Sequence, residues 1–214
     1  MSVTLDRIRQ ARQRIQDSIY FSPAPRSEAI SQMTGQEIYL KLDNLQRTGA
    51  FKERGALNKI LTLSAEEKAR GVIAASAGNH AQAVVCHATA HGIRARIVMP
   101  LMFSGVKMVA SAAYGAEVVL GGANLFAGTT VISGGTLTLG NSLALQNSTL
   151  NYNNQGGTLS FGTQTAASIG GLAGSQDLNY GTVNLNLGTN NVTTTYSGHL
   201  TLSGQLQKSS TRTV

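Results

Sequence analysis

Lys52 is the first residue whose setting suggests covalent chemistry. It stands in Arg47-Thr48-Gly49-Ala50-Phe51-Lys52-Glu53-Arg54-Gly55-Ala56, where a Thr-Gly turn gives way to apolar residues at helical spacing, so the lysine opens a helix. There it meets the positive pole of the backbone dipole, which suits an amine nucleophile better than a fixed cation, although most lysines so placed are simply solvated. About twenty residues on, Ser76-Ala77-Gly78-Asn79-His80-Ala81-Gln82 carries a short apolar strand through a tight turn into a second helix. Free backbone N–H groups at such a helix start can hold a carboxylate or a phosphate. Asn79 is open to two readings, a ligand to a bound group or a helix cap. His80, His87 and His91 fall roughly on one helical face, but the sequence sets no acid or thiol partner beside them, and no metal site is expected. Cys86, the only cysteine, lies in an apolar run and reads as a buried thiol with no intramolecular disulfide.

The elements that must carry these residues alternate in type. Helical spacing covers 4–19, 51–63, 79–90 and 106–113, and strand patterns cover 37–42, 72–75, 95–99 and 117–120. Strands alternating with helices of this length predict an α/β fold built of parallel βαβ units.

Near residue 122 the composition changes. Only Asp177, Lys208 and Arg212 are charged beyond that point, and all three prolines, Pro23, Pro25 and Pro100, precede it. The later part repeats a Gly-Thr-Leu-x-Leu-like unit beginning at Gly135, Gly157, Gly181 and Gly198, at intervals of 22, 24 and 17 residues. Such spacing is close to one solenoid coil, and period-two alternation sends Leu137, Leu139, Leu159, Phe161, Leu185 and Leu202 inward. The expected division is therefore an α/β domain over 1–122 and a β-solenoid-like domain over 123–214, with the boundary between Gly121 and Gly128. So few charges leave strand edges poorly protected, and self-association through those edges is expected.

A formal charge of +7 and a pI near 9.9 would ordinarily direct attention to nucleic acid or an acidic membrane. Here the basic residues lie among nine acids in the first 122 residues, and the cluster Arg7, Arg9, Arg12 and Arg14 reads as a solvated helix face. Neither nucleic acid nor a membrane is expected as a partner. The opening residues lack the apolar core of a secretory signal, and no run reaches the roughly 18 apolar residues of a membrane span, so a cytoplasmic location is expected.

Taken together, Lys41 to Ala56, Ser76 to Gln82, Val98-Met99-Pro100 and Tyr114 to Leu120 resemble the threonine/serine ammonia-lyases of the fold-type-II pyridoxal-phosphate enzymes. The resemblance covers residues 1–122. It implies that Lys52 forms the internal aldimine with pyridoxal 5'-phosphate and later takes the substrate's α-proton. It also implies that Phe51 lines the cofactor, that Asn79 bonds its ring hydroxyl, and that Ser76, Gly78, Asn79 and His80 hold the carboxylate of a small amino-acid substrate. Ala77, where related racemases carry serine, favours elimination, the conversion of threonine to 2-oxobutanoate and ammonia. The family's glycine-rich phosphate cup is expected to be missing: Gly134-Gly135, Gly156-Gly157 and Gly170-Gly171 read instead as solenoid turns. Residues 123–214 resemble passenger repeats of bacterial autotransporters, so the chain reads as chimera-like. The two implied readings are a lyase-type protein of weak or absent turnover and a non-catalytic β-solenoid of structural or adhesive type.

Overall fold

In the computed structural model, residues 2–76, 78–99 and 115–209 are described. The helix expected over 106–113, Ala77 and the side chain of Leu202 lie outside them. The first helix, α1 (Leu5–Ile15), is capped by Thr4, whose hydroxyl accepts from the Arg7 N–H. It ends earlier than the expected 4–19, but Ile15 and Ile19 still pack together on Leu57. A second helix, α2 (Glu28–Thr34), starts at a Ser27 cap and stops at Gly35, whose φ of 67° only glycine adopts cheaply. The strand expected over 37–42 is reduced to a single antiparallel bridge between Arg26 and Tyr39. The segment opposite carries Pro23 and Pro25, which have no N–H to give. Bonds to those prolines therefore run one way, from Leu40 N–H to the Pro25 carbonyl and from Leu42 N–H to the Pro23 carbonyl.

Two further helices follow, α3 (Lys52–Leu61) and α4 (Ala65–Arg70). Helices α2 and α4 escape the sequence reading, although Ser64 and Glu67 form a capping box whose spacing marks the start of α4. Next come β1 (Val72–Ala75), α5 (Asn79–Ala90), β2 (Ala95–Met99) and β3 (Glu117–Leu120), all at or near the expected limits. The strands pair in parallel, β1 with β2 and β2 with β3.

The sheet does not stop at residue 122. Past β4 (Gly128–Val131), strand β5 (Thr136–Leu139) pairs in parallel with β3, and β7 (Thr158–Ser160) pairs with β5, so one five-stranded sheet runs β1-β2-β3-β5-β7. Register carries the apolar stripe across: Ile97 lies beside Val118 and Val118 beside Leu137, while Met99 lies beside Leu120 and Leu120 beside Leu139. All six are essentially buried. On the helix side, Ala56, Ala81, Val84 and Val85 join the same apolar cluster, which continues through Leu150 to Leu187.

The remaining strands are β6 (Leu145–Tyr152), β8 (Ala166–Gly174), β9 (Leu178–Gly181), β10 (Asn184–Leu187), β11 (Leu200–Leu202) and β12 (Leu206–Lys208). A second parallel sheet runs β12-β10-β8-β6-β4, and β11 pairs with β9. Successive strands alternate between sheets, which is a solenoid-like path. Leu137, Leu139, Phe161 and Leu185 point inward as expected, and Leu159 is half-buried. Gly170-Gly171 corrects one expectation, since the pair lies inside β8 and not in a turn. A side chain at Gly170 would meet the Ser148 backbone at 2.7 Å, and one at Gly171 would strike Thr149 at 2.9 Å and Thr194 at 3.1 Å.

Candidate active site

Lys52 occupies the first helical position of α3, reached through a turn in which Gly49 takes a φ of 72° and donates its N–H to the Gln46 carbonyl at 2.8 Å. Its side chain is exposed, with Nζ 4.5 Å from the centre of the Phe51 ring, itself 60% exposed. An ammonium over an aromatic face is a weak attraction in water, about 0.5–1 kcal/mol, and leaves the amine accessible. The two residues after it face elsewhere. The Glu53 side chain is buried and Oε1 accepts the Thr48 N–H, while Arg54 grips Asp43 through Nε and Nη2 at 2.8 and 2.9 Å. Asp43 also accepts from the Ser22 hydroxyl at 2.6 Å. The Arg54 hydrogen bonds hold the Asp43 carboxyl well below the usual carboxylate range.

The second group stands at the carboxyl end of β1, the edge of a parallel sheet where α/β proteins place their ligands. Ser76 donates its N–H to the Val98 carbonyl at 3.1 Å, extending the ladder one residue beyond β1, and its hydroxyl accepts the Gly78 N–H at 3.2 Å. Gly78, not Asn79, is the capping position of α5, and no side chain caps that helix. The capping reading of Asn79 is thereby corrected. Asn79 and His80 are exposed, and neither side chain hydrogen-bonds to a described residue. The first turn of α5 has no acid, so its leading N–H groups meet no negative side chain of their own helix. Helix α3 packs on α5 through Ala56, but no hydrogen bond or ion pair between described residues ties Lys52 or Phe51 to the Ser76–His80 turn.

These groups fit the binding of an aldehyde cofactor bearing an aromatic ring: an exposed primary amine, an aromatic face beside it, and a turn that opens α5 with no acid in its first turn. Gly135, Gly157 and Gly170 of the repeat do not offer an open cradle for its phosphate. A side chain at Gly135 would lie 2.4 Å from the Ala116 carbonyl oxygen, and one at Gly157 would lie 2.3 Å from Ile132 Cγ2. These glycines, like Gly170, are spent on contact with the neighbouring strand layer.

Glu53 and His87 are what the sequence reading missed. It set no acid near the histidines, yet the fold brings Glu53 Oε2 to 3.3 Å from His87 Nε2, with both side chains almost fully buried. The approach is electrostatic, since Nε2 makes no aligned hydrogen bond with a described residue. Arg47 approaches Cys86 on the next residue, Nη1 to Sγ at 3.9 Å. The only sequence signal was an acid following the lysine in the first turn of a helix; its partner lies across a helix-helix contact that no local pattern reveals. Burial pushes the His87 pKa below its ordinary value, with Arg47 and His91 acting in the same direction and Glu53 opposing. A histidine that resists protonation in the folded state binds fewer protons than in the unfolded chain. Stability is thus fully present above the unfolded pKa of about 6.5 and is lost as pH falls from there toward the lower folded value. Urea unfolding should show the chain less stable at about pH 5.5 than at about pH 7.5, with the difference much reduced in His87→Gln. The Asp43 contribution is lost only below about pH 4 and does not enter this window.

A family model described as pyridoxal-phosphate dependent enzyme matches residues 15–168. Over 124 residues the chain is 48% identical to an L-threonine ammonia-lyase of Thermotoga maritima, covering 58% of this chain and 31% of that protein. It is 46% identical over 124 residues to the L-threonine dehydratase catabolic TdcB of Escherichia coli K12, covering 58% and 38%. The chain spans about a third of the length of these curated relatives. Among solved structures it is similar to a serine racemase from Dictyostelium discoideum, with a TM-score of 0.52 and 40% identity over 54% of this chain and 38% of that one. No helix among the described residues is long and apolar enough to cross a membrane.

Proposed function

Because the chain belongs to the pyridoxal-phosphate dependent enzyme family, whose match runs over residues 15–168, we propose that Lys52 is its cofactor-anchoring amine and that its chemistry is of the threonine/serine ammonia-lyase type. Pyridoxal phosphate is the cofactor that this membership implies. The observation that carries the reading is the exposed Lys52 amine at the start of α3, resting against Phe51. When bound, the cofactor supplies an electron sink for the substrate's α-carbon. Around it, Lys52 would take the substrate's α-proton, and Asn79 would bond the ring hydroxyl. The Ser76 hydroxyl, the N–H groups of Gly78 to His80 and the side chains of Asn79 and His80 would bind and orient the carboxylate of a small amino acid such as threonine. Since Gly135, Gly157 and Gly170 are closed by the neighbouring strand layer and cannot cradle a phosphate, these 214 residues alone should turn threonine over weakly or not at all. The assay is 2-oxobutanoate release beside a Lys52→Ala control. Rates equal in the two proteins are expected; a rate clearly above the control would show that the phosphate is held by some other group.

The solenoid-like path from β4 to β12 favours a second reading, a non-catalytic structural or adhesive module of the autotransporter-repeat kind joined to the lyase-type part. Strand β12 forms the outer edge of its sheet, with Leu206 46% exposed, so self-association would proceed through that edge.

A further inference from the structure

Three consecutive residues at the start of α3 point three ways. Lys52 is exposed, Glu53 is 2% exposed, and Arg54 reaches back to Asp43. A filler at the Glu53 position would be leucine or methionine, because burying a carboxylate costs free energy unless its oxygens find partners. Here one oxygen is hydrogen-bonded and the other lies against an imidazole without an aligned hydrogen bond. Oε1 accepts the Thr48 N–H, fixing the turn that precedes the lysine, and Oε2 lies 3.3 Å from His87 Nε2 on α5, the helix that begins at the Ser76–His80 turn. The contact also favours the helix start, since an acid in the first turn complements the dipole. Neighbouring helical residues are separated by about 100° around the axis, so fixing where Glu53 points fixes where Lys52 points.

We propose that Glu53, through Thr48 and His87, is a positioning residue for Lys52: it sets the rotation of the first turn of α3 and the path of residues 48–51, and thereby aims the amine relative to α5. This rests on the reading of Lys52 as the anchoring amine. Glu53 does not touch the cofactor; it acts through the backbone of its neighbour. Leucine at 53 fills the space and leaves the Thr48 N–H without its acceptor, whereas glutamine restores an acceptor of the same length.

The test compares wild type, Glu53→Leu and Glu53→Gln in the full chain. Hydrogen exchange of residues 46–54 without cofactor reads the turn itself. Visible absorbance on titration with pyridoxal phosphate, and peptide mapping after borohydride reduction, read the amine. With circular dichroism unchanged, Glu53→Leu should exchange faster at 48–52, bind about tenfold more weakly and spread its label over other lysines, while Glu53→Gln stays within about threefold of wild type. Wild-type exchange and labelling in Glu53→Leu would overturn the inference. Should that variant not fold, His87→Leu, which removes the far tether and keeps the site filled, must show the same faster exchange and at least about a threefold loss of Lys52 selectivity; wild-type behaviour there would also overturn it. If the wild type takes no label at Lys52, the anchoring reading fails, and the exchange comparison still decides the clamp.

Discussion

Lys52→Ala is expected to abolish borohydride-fixed pyridoxal phosphate on residues 47–56 and to leave only scattered, low-yield label elsewhere. Of the competing lysines, Lys107 lies outside the described residues, and Lys41, Lys59 and Lys68 are placed differently. Lys41 is already engaged, its ammonium donating to the Ser22 carbonyl and lying 4.6 Å from the Phe21 ring centre. Lys59 and Lys68 sit in the last turns of α3 and α4, away from a helix start. Lys52 alone among these stands at a helix start, beside an aromatic face and on a turn fixed from two sides. Measured as moles of label at Lys52 per mole of chain, the effect is all or none. Even label over Lys41, Lys52, Lys59, Lys68 and Lys107 in the wild type would mean ordinary amine chemistry and would remove the ground for a lyase-type site.

What the sequence made legible follows the range over which each feature is determined. Strands β1, β2 and β3 and helix α5 match their expected limits because short apolar runs between polar punctuation are local signals. The strand expected over 37–42 failed for a reason outside its own residues: its pattern is sound, but its neighbour holds two prolines. The inward faces of the repeat were readable from period-two alternation, yet the role of Gly170-Gly171 was not, because it depends on the Ser148 backbone lying against Gly170 and on Thr194 and Asn190 lying against Gly171, each about twenty residues away in sequence. The candidate site shows the same split. Lys52 and the Ser76–His80 turn announce themselves in sequence, while Glu53–His87 and Asp43–Arg54 are pairs made across contacts between separate elements.

The change of composition near residue 122 suggests two parts that fold apart, and substitutions at Leu139 put that division to a test. Leu139 is fully buried on β5, beside Leu120 of β3, in the sheet that joins β1 to β7. Truncation to alanine should cost about 2–5 kcal/mol, since a Leu side chain removed from a close-packed interior leaves a cavity. Aspartate at the same place would bury an unpaired charge, and no described basic side chain lies on that inward stripe, so Leu139→Asp should not fold. The control is Thr182→Asp, an exposed position beside the coil, expected to fall within about 0.5 kcal/mol of wild type. If the apolar cluster from Ala56 to Leu187 is one cooperative core, Leu139→Asp removes the helical signal of α1 to α5 together with the strand signal, and Leu139→Ala shifts both in a single urea transition. Were the helical signal of Leu139→Asp to survive with its own transition, residues 1–122 would be an independent folding unit, and the repeat would be a passenger on its edge, not an extension of its sheet.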